Sequence, residues 1–315
     1  MTPTLVRHHT YAASSAPVDP GTRARDWAEI QERVLAPLHE AVFDRLEVGA
    51  GTRMLSLGCG SGLALLAAAS RGARVTGVDT DRERLALARE RLGPLGRSED
   101  SAGRAEDSAG RAEDSVGRAE DSGGWARDTE PARRARLVEG PPSAAATTGA
   151  PPYNLLTAFH PIGCAAGDSE GLAPALAEAV PLAVRGATVV LTGWGPPERC
   201  ATAPVLRVAA RLAEPARPAR PGGWRPPLRD DLEEVAARAG LKPDGSGRVS
   251  CPFGYADVDS AVRGLLSTGL FDAAARATDR SRVEKEVAEA LLPHRRPDGT
   301  VWMPNVFRYL VCVTT

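Results

Sequence analysis

The residues best suited to chemistry lie close together, in the loop Gly58-Cys59-Gly60-Ser61-Gly62, which the run Met54-Leu55-Ser56-Leu57 enters directly. Glycines at alternate positions let a backbone turn tightly after a strand and come close to a ligand where side chains would block it. A second apolar run, Val75 to Val78, ends at Asp79. In a parallel α/β sheet that position faces the crevice beyond the carboxyl ends of the strands, where a carboxylate accepts hydrogen bonds from both hydroxyls of a ribose. Loop and acid together point to a ligand built on a nucleoside. The plain alternative, a tight turn with no ligand, accounts for the glycines but not for the acid. Cys59 reads as a small filler of the loop rather than as a nucleophile.

Other candidates are single residues. His160 follows the run Asn154 to Phe159, and an imidazole with an ordinary pKa of ~6.5 suits a general base. A structural histidine paired with backbone is the competing reading, and Asp168, Glu198 and Tyr255 are weaker candidates for the same role. Trp194, just past the run Val189-Val190-Leu191, either walls a pocket or anchors a loop. Trp27, Phe253 and Tyr255 offer aromatic surface suited to a moderately apolar small molecule, or else pack the chain onto its core. The five histidines are scattered, with no H-E-x-x-H, and the five cysteines form no C-x-x-C pair. No metal site and no disulfide framework is expected, and the thiols should be reduced.

Composition limits the partners. The 39 basic and 40 acidic side chains nearly cancel, so nothing marks a footprint for nucleic acid. No stretch of about 18 apolar residues suggests a membrane span, and the N-terminus lacks the apolar centre of a signal peptide. A small-molecule ligand and a cytoplasmic location are expected. Oligomeric state is not legible.

These candidates need positioning elements, and the apolar pattern supplies them. Asp26-Trp27-Ala28-Glu29 resembles a capping box opening an amphipathic helix through Trp27, Ile30, Val34, Leu38, Val42 and Leu46, kinked or divided at Pro37. Strand Met54–Leu57, helix Leu63–Ser70, strand Val75–Val78 and helix Asp81–Leu92 then alternate. That order predicts a Rossmann-like, doubly wound, mostly parallel α/β sheet. Four near-copies of GRAEDSA over residues 96–123 have no apolar positions to bury, so residues 94–134 read as a disordered insertion. The pattern resumes with strands Arg136–Val138 and Tyr153–Ala158, helix Glu170–Val184 and strand Ala187–Leu191. Pro215 to Pro227 reads as a loop. Helix Asp230–Ala239, a strand over Gly247–Cys251, helical pattern over Asp257–Leu292 and a closing strand Val306–Val313 follow. The predicted division is a leader with its helix, residues 1–48, and a ligand-binding domain, residues 49–315, in which 255–296 forms a helical lid.

Dinucleotides and S-adenosylmethionine compete for such a loop. The dinucleotide pattern wants a small residue at the sixth position, where Leu63 stands, whereas Gly58, Gly60 and Gly62 satisfy G-x-G-x-G. Leu57-Gly58-Cys59-Gly60-Ser61-Gly62 with Val78-Asp79 resembles motifs I and II of the class I S-adenosylmethionine-dependent methyltransferases, and the likeness covers residues 50–92 and, more loosely, 135–194. The resemblance implies that Gly58, Cys59, Gly60 and Gly62 line the methionine part of the cofactor, that Asp79 holds the ribose with Thr80 beside it, and that Phe159 and His160 face cofactor and substrate. Taken with the balanced charge and the aromatic residues outside the common sheet, the expected acceptor is an O, N or C atom of a small metabolite bound near Trp27, Trp194, Phe253 and Tyr255. Two positions depart from the family: Ser56 stands where an acid is usual, and Glu139-Gly140-Pro141 lacks the acid that often meets adenine. A cofactor-binding protein that does not methylate is one alternative. A nicotinamide-dependent oxidoreductase is another, opposed by Leu63 and by the absence of a Tyr-x-x-x-Lys pair. A nucleic-acid methyltransferase is disfavoured, because Pro151-Pro152-Tyr153 precedes the fourth strand instead of following it. If the repeats are a surface insertion, a chain lacking residues 96–123 should match the full chain in thermal midpoint and S-adenosylmethionine affinity; a clear drop in either would make the repeats structural.

Overall fold

Apolar runs too short for helices alternate with helical stripes through most of the chain, and each run becomes a strand with a helix packed beside it. The computed structural model describes residues 19–93, 135–213 and 227–315; the leader, the repeat insertion 94–134 and most of the Pro215–Pro227 stretch lie outside the described residues. Strands β1 (Arg53–Leu57), β2 (Arg74–Asp79), β3 (Ala135–Glu139), β4 (Tyr153–Ile162) and β5 (Ala183–Trp194) are parallel. Two later strands, β6 (Lys242–Ser250) and β9 (Val306–Val313), complete one sheet in the order β3-β2-β1-β4-β5-β9-β6, with β9 antiparallel to both neighbours. This is the doubly wound, mostly parallel sheet that the pattern predicts. The order reverses between β1 and β4, so the crevice beyond their carboxyl ends, where such sheets bind ligands, lies between the glycine loop and His160.

Helices cover both faces. On one lie α2 (Ala36–Arg45), α3 (Leu63–Ser70), α4 (Arg82–Leu92) and α6 (Ala203–Leu212), with α8 (Val258–Ser267) and α10 (Arg280–Leu291), around Phe43, Met54, Leu65 and Phe159. On the other, α5 (Asp168–Ala179) and α7 (Asp231–Arg238) pack on Leu55, Leu156 and Leu191. The stretch expected as a lid holds α8, α9 (Asp272–Ala277) and α10, with Asp257 and Asp279 capping α8 and α10 through bonds from the N–H groups of Ser260 and Arg282. α10 and α9 lean on α6, and α8 leans on the N-terminal segment. Strands β7 (Phe253–Tyr255) and β8 (Val301–Met303) close this stretch at its base.

Several boundaries differ from the sequence reading. The first helix, α1 (Pro20–Asp26), begins seven residues early: Asp19 accepts the N–H of Thr22 at 2.9 Å and Pro20 opens the first turn, both favourable at a helix start. Asp26 is therefore no cap, and its carboxylate instead receives Arg263 at 2.8 Å. A π turn, Trp27–Gln31, and a 3-10 turn, Glu32–Leu35, divide the expected long helix, and Pro37 sits in the first turn of α2, where its missing N–H costs nothing. Helix α5 stops at Ala179, before Pro181, and β5 begins at Ala183, inside the span expected to be helical. β6 starts five residues before the expected Gly247 and includes Pro243, which an edge strand tolerates.

Gly77, in the middle of β2, lets the glycine loop pack against the sheet: a Cβ there would stand 2.5 Å from Leu65 Cδ1 and 2.7 Å from Cys59 Sγ. Gly77→Ala should destabilise the fold by about 1–3 kcal/mol, the usual cost of overpacking. Urea unfolding measures this, and an unchanged midpoint would mean that the loop gives way freely.

Candidate functional site

The loop after β1 runs through three left-handed residues, with φ of 62° at Gly58, 57° at Gly60 and 81° at Gly62. A Cβ on Gly60 would stand 3.0 Å from Glu32 Oε1 and 3.3 Å from Trp27 Nε1, whereas one on Gly58 would meet nothing within 4 Å. The loop is thus covered at Gly60 and bare at Gly58. Cys59 turns inward, and burial, reinforced by the charges of Asp79 and Glu32, pushes its thiol well above the usual range. A thiol held protonated in this way is a filler, not a nucleophile. The Cys59 N–H donates to Val78 O at 3.0 Å, tying the loop to β2.

Asp79 ends β2 and fixes the loop. Its Oδ2 accepts the N–H of Gly60 at 2.7 Å and its Oδ1 that of Asp81 at 2.9 Å. Each oxygen keeps a second lone pair, so the carboxylate has acceptor capacity left for hydroxyl donors. Thr80 lies exposed beside it. At the end of β3, Glu139 pairs with Arg82 at 3.0 Å on the surface.

The N-terminal segment covers the loop, and the π turn decides which side chains face inward. The N–H of Glu32 donates to Trp27 O, an i to i+5 bond that sets Glu32 over Trp27. Both residues are buried. Glu32 Oε1 accepts the N–H of Ser61 at 3.1 Å, while Oε2 accepts the Ser61 hydroxyl and Arg91 Nη1, the latter at 2.5 Å. Arg91 also donates to Ser61 O and Ala28 O. The indole of Trp27 has the Arg84 guanidinium 4.3 Å over its ring on one side and the His160 ring 5.9 Å away. Its Nε1–H is buried without a hydrogen-bond partner, as are His39 Nδ1 and Thr157 Oγ1. Trp27 and Glu32 reach across the cleft at the loop, leaving about 30 Å³ free among residues that include Ser56, His39 and Phe159.

A second cavity of about 60 Å³ opens on the other side of Trp27 and His160. Its walls are aromatic: Trp27, Trp194, Phe253 and Phe307, with Trp194 4.7 Å from Phe307 and 5.8 Å from Phe253 between ring centroids. Its polar lining includes His160, Gln31 and Asp168. Asp168 Oδ2 accepts the N–H groups of Gly163, Cys164 and Ala165, fixing the turn after β4. Tyr255 is not in the lining; it is buried behind Gln31, donating its hydroxyl to Gln31 Oε1 at 2.9 Å, and burial pushes its phenol far up. A roomier cavity of about 720 Å³ lies beyond Trp194, beside Arg248 and Arg308, and does not touch the glycine loop.

His160 is open toward these cavities yet crowded by protein on its other sides. That crowding, with Arg84 nearby, lowers its pKa, while Asp168 and Asp79 oppose the shift. The ring is therefore neutral at neutral pH and able to accept a proton. Phe159 is buried at the cleft, packed on His39 and Phe43 at 4.7 and 5.5 Å.

The predicted residues thus fall into two groups joined by Trp27 and His160: Gly58, Cys59, Gly60 and Phe159 line the first cleft, and Trp194 and Phe253 the second; Asp79 is tied to the loop behind the first lining, and Gly62 packs against Ala88 of α4. Sequence reasoning missed Glu32, Gln31, His39, Arg84 and Phe307. Nothing local in the sequence pointed to Glu32. Among the described residues no group of three His, Cys, Asp or Glu could hold a metal ion, and no helix is long and apolar enough to cross a membrane.

Residues 54–114 match a protein family described as a methyltransferase domain. No curated protein matches the chain. Among solved structures it is similar to the YcgJ protein of Bacillus subtilis, with 13% identity and a TM-score of 0.48 over 88% of this chain and 97% of that one. It is also similar to YjhP of E. coli, with 13% identity and a TM-score of 0.46 over 92% and 98%. The magnesium protoporphyrin IX methyltransferase of Synechocystis, solved with S-adenosylhomocysteine, is 11% identical, with a TM-score of 0.43 over 90% and 83%.

Burial lowers the pKa of His39 from 6.5 to about 3. Between those values the unfolded chain binds a proton that the folded chain refuses. Stability is therefore full above pH 6.5 and falls as the pH drops toward 3, by about 1.4 kcal/mol per pH unit for one such group. Urea midpoints should fall between pH 7 and 5, and His39→Gln should flatten that fall; parallel slopes would show that His39 is protonated in the fold.

Proposed function

We propose that this chain, which carries a methyltransferase domain, transfers the methyl group of S-adenosylmethionine to a small, largely apolar metabolite. One observation carries the reading: Trp27 and His160 line both the cleft at the glycine loop and the aromatic cavity, so two ligands bound there would meet at those residues. The loop residues suit the cofactor's chemistry, and Trp27 and Glu32, which leave about 30 Å³ free there, would have to draw back to admit it. Gly58 leaves open the space that a Cβ would fill, Asp79 keeps lone pairs for ribose hydroxyls, and Trp27 holds an unpartnered donor at the cleft.

When bound, the cofactor supplies a methyl group already activated by its sulfonium charge. The protein's task is then alignment and exclusion of water. Trp194, Phe253 and Phe307 provide flat apolar walls against which an acceptor can be held. The Gln31 amide is oriented by Tyr255, whose hydroxyl claims its oxygen, leaving the NH2 group as the donor for an acceptor's polar atom. His160, kept neutral, takes the proton released when the acceptor is a hydroxyl or amine. The turn between α8 and α9 adds Thr268 and Leu270 to the wall of the acceptor side, which supports the lid reading of 255–296.

Titration calorimetry with S-adenosylmethionine, S-adenosylhomocysteine, NAD and NADP tests the proposal. Micromolar binding of the first pair alone is expected, with Asp79→Ala weakening it at least about tenfold through loss of hydrogen bonds to a charged acceptor. Binding of a nicotinamide nucleotide instead would overturn the reading, and unchanged affinity in Asp79→Ala would remove the ribose assignment.

A further inference from the structure

Ser56 is a buried neutral side chain at the end of β1, at the position where resemblance to the methyltransferases places an acid. The amino-acid end of S-adenosylmethionine carries an ammonium and a carboxylate, and burying either without a partner is costly. We infer that Glu32, set over the glycine loop by the π turn, is the anionic partner of that ammonium, with the Trp27 indole N–H receiving the carboxylate; the inference rests on the cofactor reading proposed above.

Two carboxylates stand at the loop. Asp79, each of whose oxygens accepts one amide, at 2.7 and 2.9 Å, is set apart by its place at the end of β2, the side proposed above for the ribose. Glu32 Oε2 is taken by Ser61 and Arg91, but Oε1 accepts one bond, from the N–H of Ser61 at 3.1 Å. A carboxylate oxygen accepts two, so one lone pair of Oε1 remains. That oxygen lies 3.0 Å from where a Gly60 Cβ would stand, and Trp27 Nε1, buried and without a partner, lies 3.3 Å from the same point. A carboxylate oxygen with a lone pair to spare and an unused donor therefore lie side by side over Gly60. A zwitterion needs that pairing. Arg91 and Ser61 hold the Glu32 carboxylate in place, so it acts without reorganising.

The competing explanation is that Glu32 only fastens the N-terminal segment to the loop. The two are separated by ligands that differ at one end: S-adenosylhomocysteine, and 5′-deoxy-5′-methylthioadenosine, which keeps the nucleoside and thioether but has no amino-acid group. In calorimetry of the full chain, Glu32→Gln should weaken S-adenosylhomocysteine about tenfold or more, as expected for loss of a charged hydrogen bond, while methylthioadenosine affinity stays within about twofold. Trp27→Phe, which removes the indole N–H and leaves Glu32 and its ties in place, should show the same split. Equal loss for both ligands in both variants would reduce Glu32 and Trp27 to structural ties, and unchanged or tighter binding of S-adenosylhomocysteine would make the carboxylate an obstruction; either overturns the inference. If the unaltered protein binds neither ligand, the cofactor reading itself fails, and this assignment with it.

Discussion

A carboxylate as enclosed as that of Glu32 persists only because donors meet it from three directions: the Ser61 amide, the Ser61 hydroxyl and the Arg91 guanidinium. Removing one partner from a buried pair of this kind costs on the order of 3–5 kcal/mol, since the other charge is then stranded. The arrangement ties together segments distant in sequence, namely the N-terminal π turn, the glycine loop and α4. Asp79 does the same from the other side, accepting amides from the loop and from the turn that opens α4. Between them the two carboxylates fix a loop whose glycines would otherwise give it the greatest freedom in the chain.

What the sequence makes legible is what depends on neighbours along the chain. The strand–loop–helix–strand–acid unit from Arg53 to Asp79 could be read because its apolar periodicity, its glycines and its acid are all local. Asp81 caps α4 for an equally local reason, its side chain accepting the N–H of Arg84 at 3.0 Å. β7 and β8 could not be read: three residues pair with three others nearly fifty positions away, and neither run is long enough to show alternation. α6 does carry a stripe of Val205, Leu206, Val208, Ala209 and Leu212, but it falls between a proline-rich turn and a charged stretch that hide its ends.

The site shows the same division. Gly58, Gly60 and Gly62 follow β1, beside the point where strand order reverses, and Asp79 ends the neighbouring β2. Glu32 was illegible because an ordinary helix would turn it away from Trp27; only the wider π turn brings residues five apart into line. Tyr255 misled for the opposite reason. An aromatic residue near a cavity can serve it at second hand, and here the phenol is spent on holding the amide of Gln31.

Trp27 is a partition with a cavity on each face, and a partition cannot yield to one side without intruding on the other. A molecule in the cleft at the loop would set the wall against which one in the other cavity packs, and that one would in turn brace the wall for the first. Linkage requires the two effects to be equal: each occupant alters the affinity of the other by the same factor, whichever arrives first. Were both cavities to take ligands as proposed, a single indole between Arg84 and His160 would couple them, with no movement of the sheet that carries them.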